Sequence, residues 1–198
     1  LIDDCKAIGL AIEPPDINTG AYRFEPVDAR TIRYGLGGIK GTGRGAIEAI
    51  VAERSRAGPF SGLFDFCARV EKGLINRRVV EALVRAGAFD ALDDHRARLL
   101  SSVGIALEAA EQRSRDAQQV SLFGDAEGAA RHRPAAVEVP RWDEQRRLAE
   151  EKTALGFYLS GHPFAAFRRE FAPFLRGTLA ELQPRNEPQL LAGMVAAA

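Results

Sequence analysis

The feature that most constrains this chain is a glycine turn between two short apolar segments, in residues 36–51. Apolar residues recur at helical spacing on both sides of the turn, which predicts two short helices with a shared apolar face. The turn itself is Gly41-Thr42-Gly43, and its glycines permit a tight reversal that residues with a β-carbon make only at a cost. The apolar positions are Leu36, Ile39, Ile47 and Ile50.

The same turn predicts a binding site for phosphate. The amides of Gly43, Arg44 and Gly45 lie at the start of the second predicted helix, where N–H groups have no intrahelical acceptor. Free amides at the positive end of a helix dipole favour anions, and Lys40 and Arg44 add positive charge. This pattern is typical of a helix-hairpin-helix, a module that binds nucleic-acid backbone without reading its sequence. The expected phosphate-binding residues are Lys40, Gly41, Thr42, Gly43, Arg44 and Gly45.

The positions of the charged residues along the chain support a phosphate-binding site, whereas the total net charge does not. The formal net charge of the 198 residues is zero, so the chain has no global basic character. Residues 1–29 carry six acidic and two basic side chains, a net charge of −4, whereas residues 30–58 carry six basic and two acidic ones, a net charge of +4. The basic stretch therefore surrounds the glycine turn, where a phosphate contact needs it.

The glycine turn has three other possible interpretations. A Walker loop requires Gly-Lys-Ser/Thr in that order, and the order Lys40-Gly41-Thr42 excludes it. A dinucleotide-binding fingerprint, as in a nucleotide-binding enzyme, requires a preceding strand, whereas the flanks here are predicted to be helical and a strand before Gly35 would be needed. A purely structural turn between two helices stays open, although the surrounding positive charge and the two closely spaced glycines argue against it.

The rest of the sequence predicts a mainly α-helical protein. Amphipathic segments between residues 31 and 116 predict a compact all-α unit. Residues 117–141 have few apolar residues and no helical period, so we expect an exposed linker there. Predicted helices cover about 45–57, 63–70, 77–86, 96–116, 143–159 and 164–171; a helix is expected to end before Pro14, and short strands are predicted at 21–24, 31–34 and 190–195.

An apolar cluster interrupts the predicted linker. Leu122 and Phe123 are adjacent large apolar residues in a polar stretch, and such residues fold back or dock on a partner. With Gln119 they form Gln-x-x-Leu-Phe, which suits a groove that takes two apolar anchors and hydrogen-bonds one amide. Chance matches to so short a pattern are common, and its position in a linker gives it weight.

No catalytic or metal site is predicted. The three histidines, His95, His132 and His162, each lack a second ligand at metal spacing. The carboxylates are scattered, with no pair in the setting of a two-metal site. Asn76-Arg77-Arg78 is equally consistent with a phosphate contact and with a capped helix whose basic first turn is solvated.

The remaining features bear on compartment and extent. Cys5 and Cys67 are expected to be reduced thiols, because neither has a nearby cysteine partner. No apolar run reaches membrane-spanning length and no signal peptide is visible, which favours the cytoplasm. The chain starts without methionine and stops within an apolar run, so we expect it to be part of a larger protein.

Several ordered motifs resemble the bacterial replicative DNA polymerase III alpha subunit, a C-family polymerase. The resemblance runs nearly end to end and keeps order and spacing. The motifs are Pro14-Pro-Asp-Ile-Asn18, Tyr34-Gly-Leu-Gly-Gly-Ile-Lys-Gly-Thr-Gly43, Gly58-Pro-Phe60, Leu63-Phe-Asp-Phe-Cys67, Asn76-Arg-Arg-Val79, Ala86-Gly-Ala-Phe-Asp90 and Leu155-Gly-Phe-Tyr-Leu-Ser-Gly-His-Pro163.

The resemblance implies a piece downstream of the palm of a DNA-directed DNA polymerase, a nucleotidyltransferase. Its hairpin would contact double-stranded DNA, and it would work with other polymerase III holoenzyme subunits. The catalytic aspartates would lie upstream, so no catalytic residue and no cofactor are expected here, although the whole enzyme would use Mg. The implied parts are the end of the fingers region (1–30), a helix-hairpin-helix domain (31–116), a linker (117–141), a helical connector (142–187) and the first strand of an OB-fold (188–198).

The family also carries an internal peptide that binds the sliding clamp. Its expected counterpart here is Gln119, Val120, Ser121, Leu122 and Phe123, with Val120 where leucine is often favoured. This peptide favours the replicative subunit over its error-prone paralogue, which is the nearest confusable protein. A stand-alone helix-hairpin-helix scaffold for DNA binding is the alternative from another class.

Overall fold

The computed structural model describes residues 2–123, 135–175, 183, 184, 186 and 188–193, and most of them are helical. The helices are α1 (Ile2–Ala7), α2 (Arg44–Ala57), α3 (Leu63–Arg69), α4 (Arg77–Arg85), α5 (Arg96–Phe123), α6 (Glu144–Leu155) and α7 (Arg168–Phe171). Single 3-10 turns cover Leu36–Gly38, Pro163–Ala166 and Ala172–Phe174. The prediction of a mainly α protein is confirmed.

A small sheet precedes the hairpin. Its strands are β1 (Ala11–Glu13), β2 (Glu25–Pro26) and β3 (Thr31–Arg33), in the order β1-β3-β2. Strand β1 pairs in parallel with β3, with Ile12 opposite Ile32, and β2 pairs antiparallel with β3. Residues 11 and 12 were expected to be the end of a helix, but α1 stops at Ala7 and Gly9 takes a φ of +78°, which turns the chain into β1.

The strand predicted at 31–34 is therefore confirmed as β3, and it lies just before Gly35, where the dinucleotide-binding alternative needs one. It does not make the turn a dinucleotide-binding loop. That fold needs the helix after the turn to lead into a strand parallel to the first. Here α2 leads into α3, and among the described residues no strand beyond β3 joins the sheet.

Helix α4 begins and ends where local chemistry predicts. The side chain of Asn76 accepts a hydrogen bond from the amide of Val79 at 3.0 Å, as an N-cap does. Past its end, Gly87 adopts a φ of +82°. The sequence predicts both this N-cap at Asn76 and a stop at Gly87, and both are confirmed. For α5 the sequence predicts Asp93 or Asp94 as the N-cap, but it is Nδ1 of His95 that accepts from the Arg98 amide, at 3.2 Å.

A single apolar core unites the hairpin with α3, α4, α5 and α6. Its centre is a chain of T-shaped aromatic contacts from Phe60 through Phe66 to Phe89, with centroids 5.1 and 5.2 Å apart. Ile17 lies in this cluster, and so do Ala154 and Leu155 at the end of α6. The compact unit predicted for residues 31–116 therefore also includes residues on both sides of those bounds.

Helix α5 is longer than predicted. It runs to Phe123, seven residues into the segment expected to be linker. Residues 117–123 include alanine, glutamine and leucine, which are good helix formers, and the first glycine comes only at position 124. The backbone of Gln119–Phe123 is therefore helical, while residues 124–134 of the predicted linker lie outside the described residues.

The C-terminal part follows the prediction only in outline. The helix expected near 164–171 is divided into the turn Pro163–Ala166, helix α7 and the turn Ala172–Phe174. Residues 190–193 of the predicted strand have no regular structure, and 194–198 lie outside the described residues, as do 176–182, 185 and 187 of the predicted connector. The OB-fold assignment stays a prediction.

Candidate nucleic-acid interface

The glycine turn is closed by its own threonine. The hydroxyl of Thr42 donates within reach of two carbonyls, those of Leu36 at 3.0 Å and Ile39 at 2.7 Å. Gly41 has a φ of +88°, a conformation that favours glycine over any residue with a β-carbon. The side chain of Thr42 is thus part of the turn's internal structure, and the turn offers main-chain groups to solvent.

The first half of the hairpin is shorter than expected. Leu36–Gly38 forms one 3-10 turn, and the rings of Tyr22 and Tyr34 pack closely against its glycines. A β-carbon at Gly37 would lie 2.5 Å from Cε2 of Tyr22, and one at Gly38 would lie 2.8 Å from Oη of Tyr34. The Tyr34 hydroxyl also donates to the carbonyl of Gly38 at 3.0 Å. Sequence reasoning missed both tyrosines; the pair of glycines before the turn was the available signal of close packing.

The amides at the start of α2 are open. Gly43 is the N-cap residue, with an extended φ of −87° and ψ of 155°, and no side chain caps it. Among the described residues, no group accepts a hydrogen bond from the N–H of Gly43, Arg44 or Gly45, and all three residues are exposed. The first amide to bond back is that of Ile47, which donates to the Gly43 carbonyl at 3.2 Å. This arrangement presents three converging donors at the positive end of a 14-residue helix.

Arg44 and Lys40, the two cations predicted beside the turn, each contact another group of the protein. The Nε of Arg44 donates to Glu48 at 2.7 Å, and this contact raises the pKa of Arg44. Its guanidinium also lies 5.6 Å from the centroid of the Tyr22 ring. Both members of the ion pair are largely exposed, so water screens their attraction. Arg44 is therefore positioned at the interface by a weak contact that an anion can replace.

Lys40 is fixed at the end of α6. Its amide donates to the carbonyl of Ala154 at 2.8 Å. Its ammonium lies beside Gly156, so that a β-carbon there would be 2.9 Å from Nζ. A cation at a helix C-terminus is favoured by the helix dipole. Lys40 therefore joins the glycine turn to the end of α6, whose Ala154 and Leu155 lie in the core.

The end of α6 is fixed in turn by a buried carboxylate. Glu151, 1% exposed, accepts from the amide and the hydroxyl of Ser160 at 2.8 and 2.7 Å, and from the amide of Leu159. Its other neighbour is the guanidinium of Arg96, 3.6 Å away. Burial opposes the charge of Arg96, but the carboxylates of Asp90 and Glu151 outweigh it and raise the pKa of Arg96 above its ordinary value. The Glu151 carboxylate therefore joins α6 to the segment that follows it.

The motif Asn76-Arg77-Arg78 lies close to the glycine turn in the folded protein. Asn76 caps α4, and Arg77 pairs with Glu81 at 2.7 Å. The Nε of Arg78 would lie 3.4 Å from a β-carbon on Gly41. The capped-helix interpretation thus holds for the first residue of the motif, and the third is brought to the turn.

The other residues singled out in the sequence lie elsewhere. The backbone of Gln119, Val120, Ser121, Leu122 and Phe123 forms the last turns of α5. His95 caps α5, and Nδ1 of His162 accepts from the Phe164 amide at 3.1 Å at the start of the turn Pro163–Ala166. His132 lies outside the described residues.

The described residues contain neither a candidate metal site nor a candidate membrane span. No group of three or more His, Cys, Asp or Glu side chains is arranged to hold a metal ion. None of the helices in the described ranges combines the length and the apolar character needed to cross a membrane.

Comparison with known proteins gives two kinds of match. A family model described as "Helix-hairpin-helix motif" matches residues 9–99, which confirms the predicted hairpin module. The chain is also similar to proteins named DNA polymerase III subunit alpha. It is 46% identical over 195 residues to that of Neisseria meningitidis serogroup B, a match that covers 98% of this chain and 17% of the relative.

Two further relatives carry the same name. The protein of Vibrio cholerae serotype O1 is 44% identical over 207 residues, and that of Escherichia coli K12 is 42% identical over 204 residues. Each match covers 100% of this chain and 18% of the relative. The chain thus spans less than a fifth of the length of the curated relatives it matches.

Proposed function

We propose that the chain is the counterpart of one segment of the DNA polymerase III alpha subunits, and that it holds duplex DNA by its backbone during replicative DNA synthesis. The site of contact is the glycine turn with its flanking residues, 40–45. Nucleotidyl transfer and its Mg belong to other parts of the polymerase, and the place of action is the cytoplasm.

The observation that carries the proposal is the set of unpaired amides at Gly43, Arg44 and Gly45. They are exposed, they converge at the start of α2, and no described group competes for them. An anion at this position gains hydrogen bonds that the free protein lacks. Phosphates are the anions that a duplex presents at regular spacing, and contacts to them position a protein without reading sequence.

The local charge supports a polyanion rather than a single small anion. Residues 30–58 have a net charge of +4, whereas residues 1–29 have one of −4. The cation Arg44 is held at the turn by a screened, exposed ion pair with Glu48 and by its contact with the ring of Tyr22. A phosphate can take the place of Glu48 at little cost.

The proposal includes two classes of protein partner. The segment Gln119–Phe123 would bind the sliding clamp through Leu122 and Phe123, and other subunits of the polymerase III holoenzyme would act with the chain. The helical backbone of this segment ends at Phe123, next to Gly124. Leu122 and Phe123 are adjacent large apolar residues in a polar stretch of sequence, and such a pair is suited to docking on a partner.

Duplex titration tests the DNA contact. The 198-residue chain is titrated against a short fluorescent duplex by anisotropy at several salt concentrations, with a duplex of scrambled sequence as control. We expect equal affinity for both sequences and a fall in log affinity of about 0.9 per log unit of salt for each phosphate neutralised. Salt-insensitive binding, or no binding at low salt, overturns the proposal.

A further inference from the structure

We propose that Arg78 is a second phosphate ligand of the glycine turn, so that duplex backbone is held by side-chain donors of α4 as well as by main-chain donors of α2. This inference rests on the proposed function and extends it to a residue 33 positions after the last one assigned to the turn, Gly45.

The first support is position. The Nε of Arg78 would lie 3.4 Å from a β-carbon on Gly41, and Cδ2 of Leu74 would lie 4.0 Å from one on Gly45. The segment from Leu74 to Arg78 thus runs alongside the turn and its exposed amides. Gly41, like Arg78, is exposed, so the guanidinium stands at the surface beside the donors and is not packed under them.

The second support is charge. Neither α2 nor α4 has an acidic residue in its first turn, although carboxylates are favoured there by the helix dipole. Arg44 and Arg77 are each compensated by a glutamate one turn along, Glu48 and Glu81. Among the described residues, Arg78 has no hydrogen-bond acceptor and no carboxylate partner.

These facts make Arg78 electrostatically costly in the free protein. A guanidinium in the first turn of a helix is unfavourable, because the helix dipole already places positive partial charge there. A phosphodiester would remove this cost, because a guanidinium donates two parallel hydrogen bonds to phosphate oxygens. The alternative is that the side chain of Arg78 only packs over Gly41 and binds no phosphate.

The test compares Arg78→Gln, Arg78→Lys and a control, Arg56→Gln, in the 198-residue chain. Arg56 is also an exposed arginine, although unlike Arg78 it pairs with a glutamate, and it lies twelve residues along α2 from Arg44, about 18 Å away at 1.5 Å per residue. Anisotropy titrations with a labelled duplex over a salt series give affinity and salt dependence together. Thermal unfolding of each free variant gives the effect on the fold.

We expect Arg78→Gln to weaken duplex binding about three- to tenfold and to reduce the salt slope by about 0.9, the share of one phosphate. Arg78→Lys should keep the slope but lose part of the affinity, because a lysine keeps the charge without the paired donors. Arg56→Gln should change neither quantity. The midpoint of unfolding of Arg78→Gln should stay equal to that of the wild type or rise.

Each other result counts against the inference. Wild-type affinity and slope in Arg78→Gln overturn it while leaving the proposed function standing. A lowered unfolding midpoint in Arg78→Gln, with the slope unchanged, shows that the residue packs the turn. Absence of salt-dependent binding by the wild type overturns the proposed function and this inference with it.

Discussion

The amide of Lys40 donates to the carbonyl of Ala154, so the last residue before the glycine turn is bonded to the end of a helix far along the chain. The lysine ammonium reaches the same place and lies beside Gly156. The turn is therefore supported from behind by α6 while its amides face outward. This relationship makes Gly156 a sensitive position although it is remote in sequence from the turn.

Replacement of Gly156 by alanine should destabilise the protein by about 1–2 kcal/mol, because Gly156 has a φ of +92° and a β-carbon there costs that much in the left-handed region. The new methyl would also displace the ammonium of Lys40. Gly73→Ala is the control, since a β-carbon at Gly73 meets nothing within 4 Å and its φ is not in that region. Urea unfolding curves give the free energy of unfolding of each variant. Equal free energies for the two variants would contradict the role of Gly156 where Lys40 meets α6.

Replacement of Arg44 by proline should weaken duplex binding more than replacement by alanine. Arg44 is the first residue of α2, where helices accept proline, and Gly43 already has the extended backbone that a following proline requires. Alanine removes only the side chain, whereas proline removes one of the free amides as well. Anisotropy gives the two affinities and circular dichroism checks the helix; identical binding by the two variants would show that the amide takes no part.

The variants Leu122→Ala and Phe123→Ala should each lose about 2 kcal/mol or more of binding to the sliding clamp, as buried apolar anchors do. Ser121→Ala serves as the control, because Ser121 lies in the same peptide but is not one of the two apolar anchor residues. Isothermal calorimetry with the purified clamp measures all three. Clamp affinity of the Leu122/Phe123 double variant equal to that of the wild type would remove this part of the proposed function.

The thiol of Cys67 should be inert in the folded chain. Burial raises its pKa to about 12 from an ordinary value of 9.0, so almost no thiolate is present at neutral pH. Because the folded pKa is the higher one, the thiol's contribution to stability is complete below pH 9 and is lost as the pH rises from about 9 to about 12. A thiol reagent should label only Cys5 before urea is added, and labelling of Cys67 at the native state would contradict its burial.

Local chemistry was predictable from the sequence. The Asn76 cap, the stop at Gly87 and the tight turn at Gly41 all depend on residues within a few positions of one another. The apolar stripe of α4 follows from helical periodicity and lies in the core as predicted. Such features are encoded by neighbours along the chain, which is why patterns of residue types reveal them.

Contacts between distant segments were not predictable in this way. Arg78 reaches Gly41, Lys40 reaches Ala154, and Tyr22 packs on Gly37, yet no periodicity connects the members of these pairs. The length of α5 was underestimated for a different reason. Its polar last turns have good helix propensity but no apolar stripe, so the pattern resembled a linker.

The bond from Lys40 to Ala154 also has a consequence for biosynthesis. The two residues are 114 positions apart, so the glycine turn leaves the ribosome well before its support has been translated. At about 5–20 residues per second, the interval is roughly 6 to 23 s. During that time a nascent chain carries an unsupported turn among basic residues, and the surface that is proposed to meet DNA is completed only when the C-terminal end of α6 emerges.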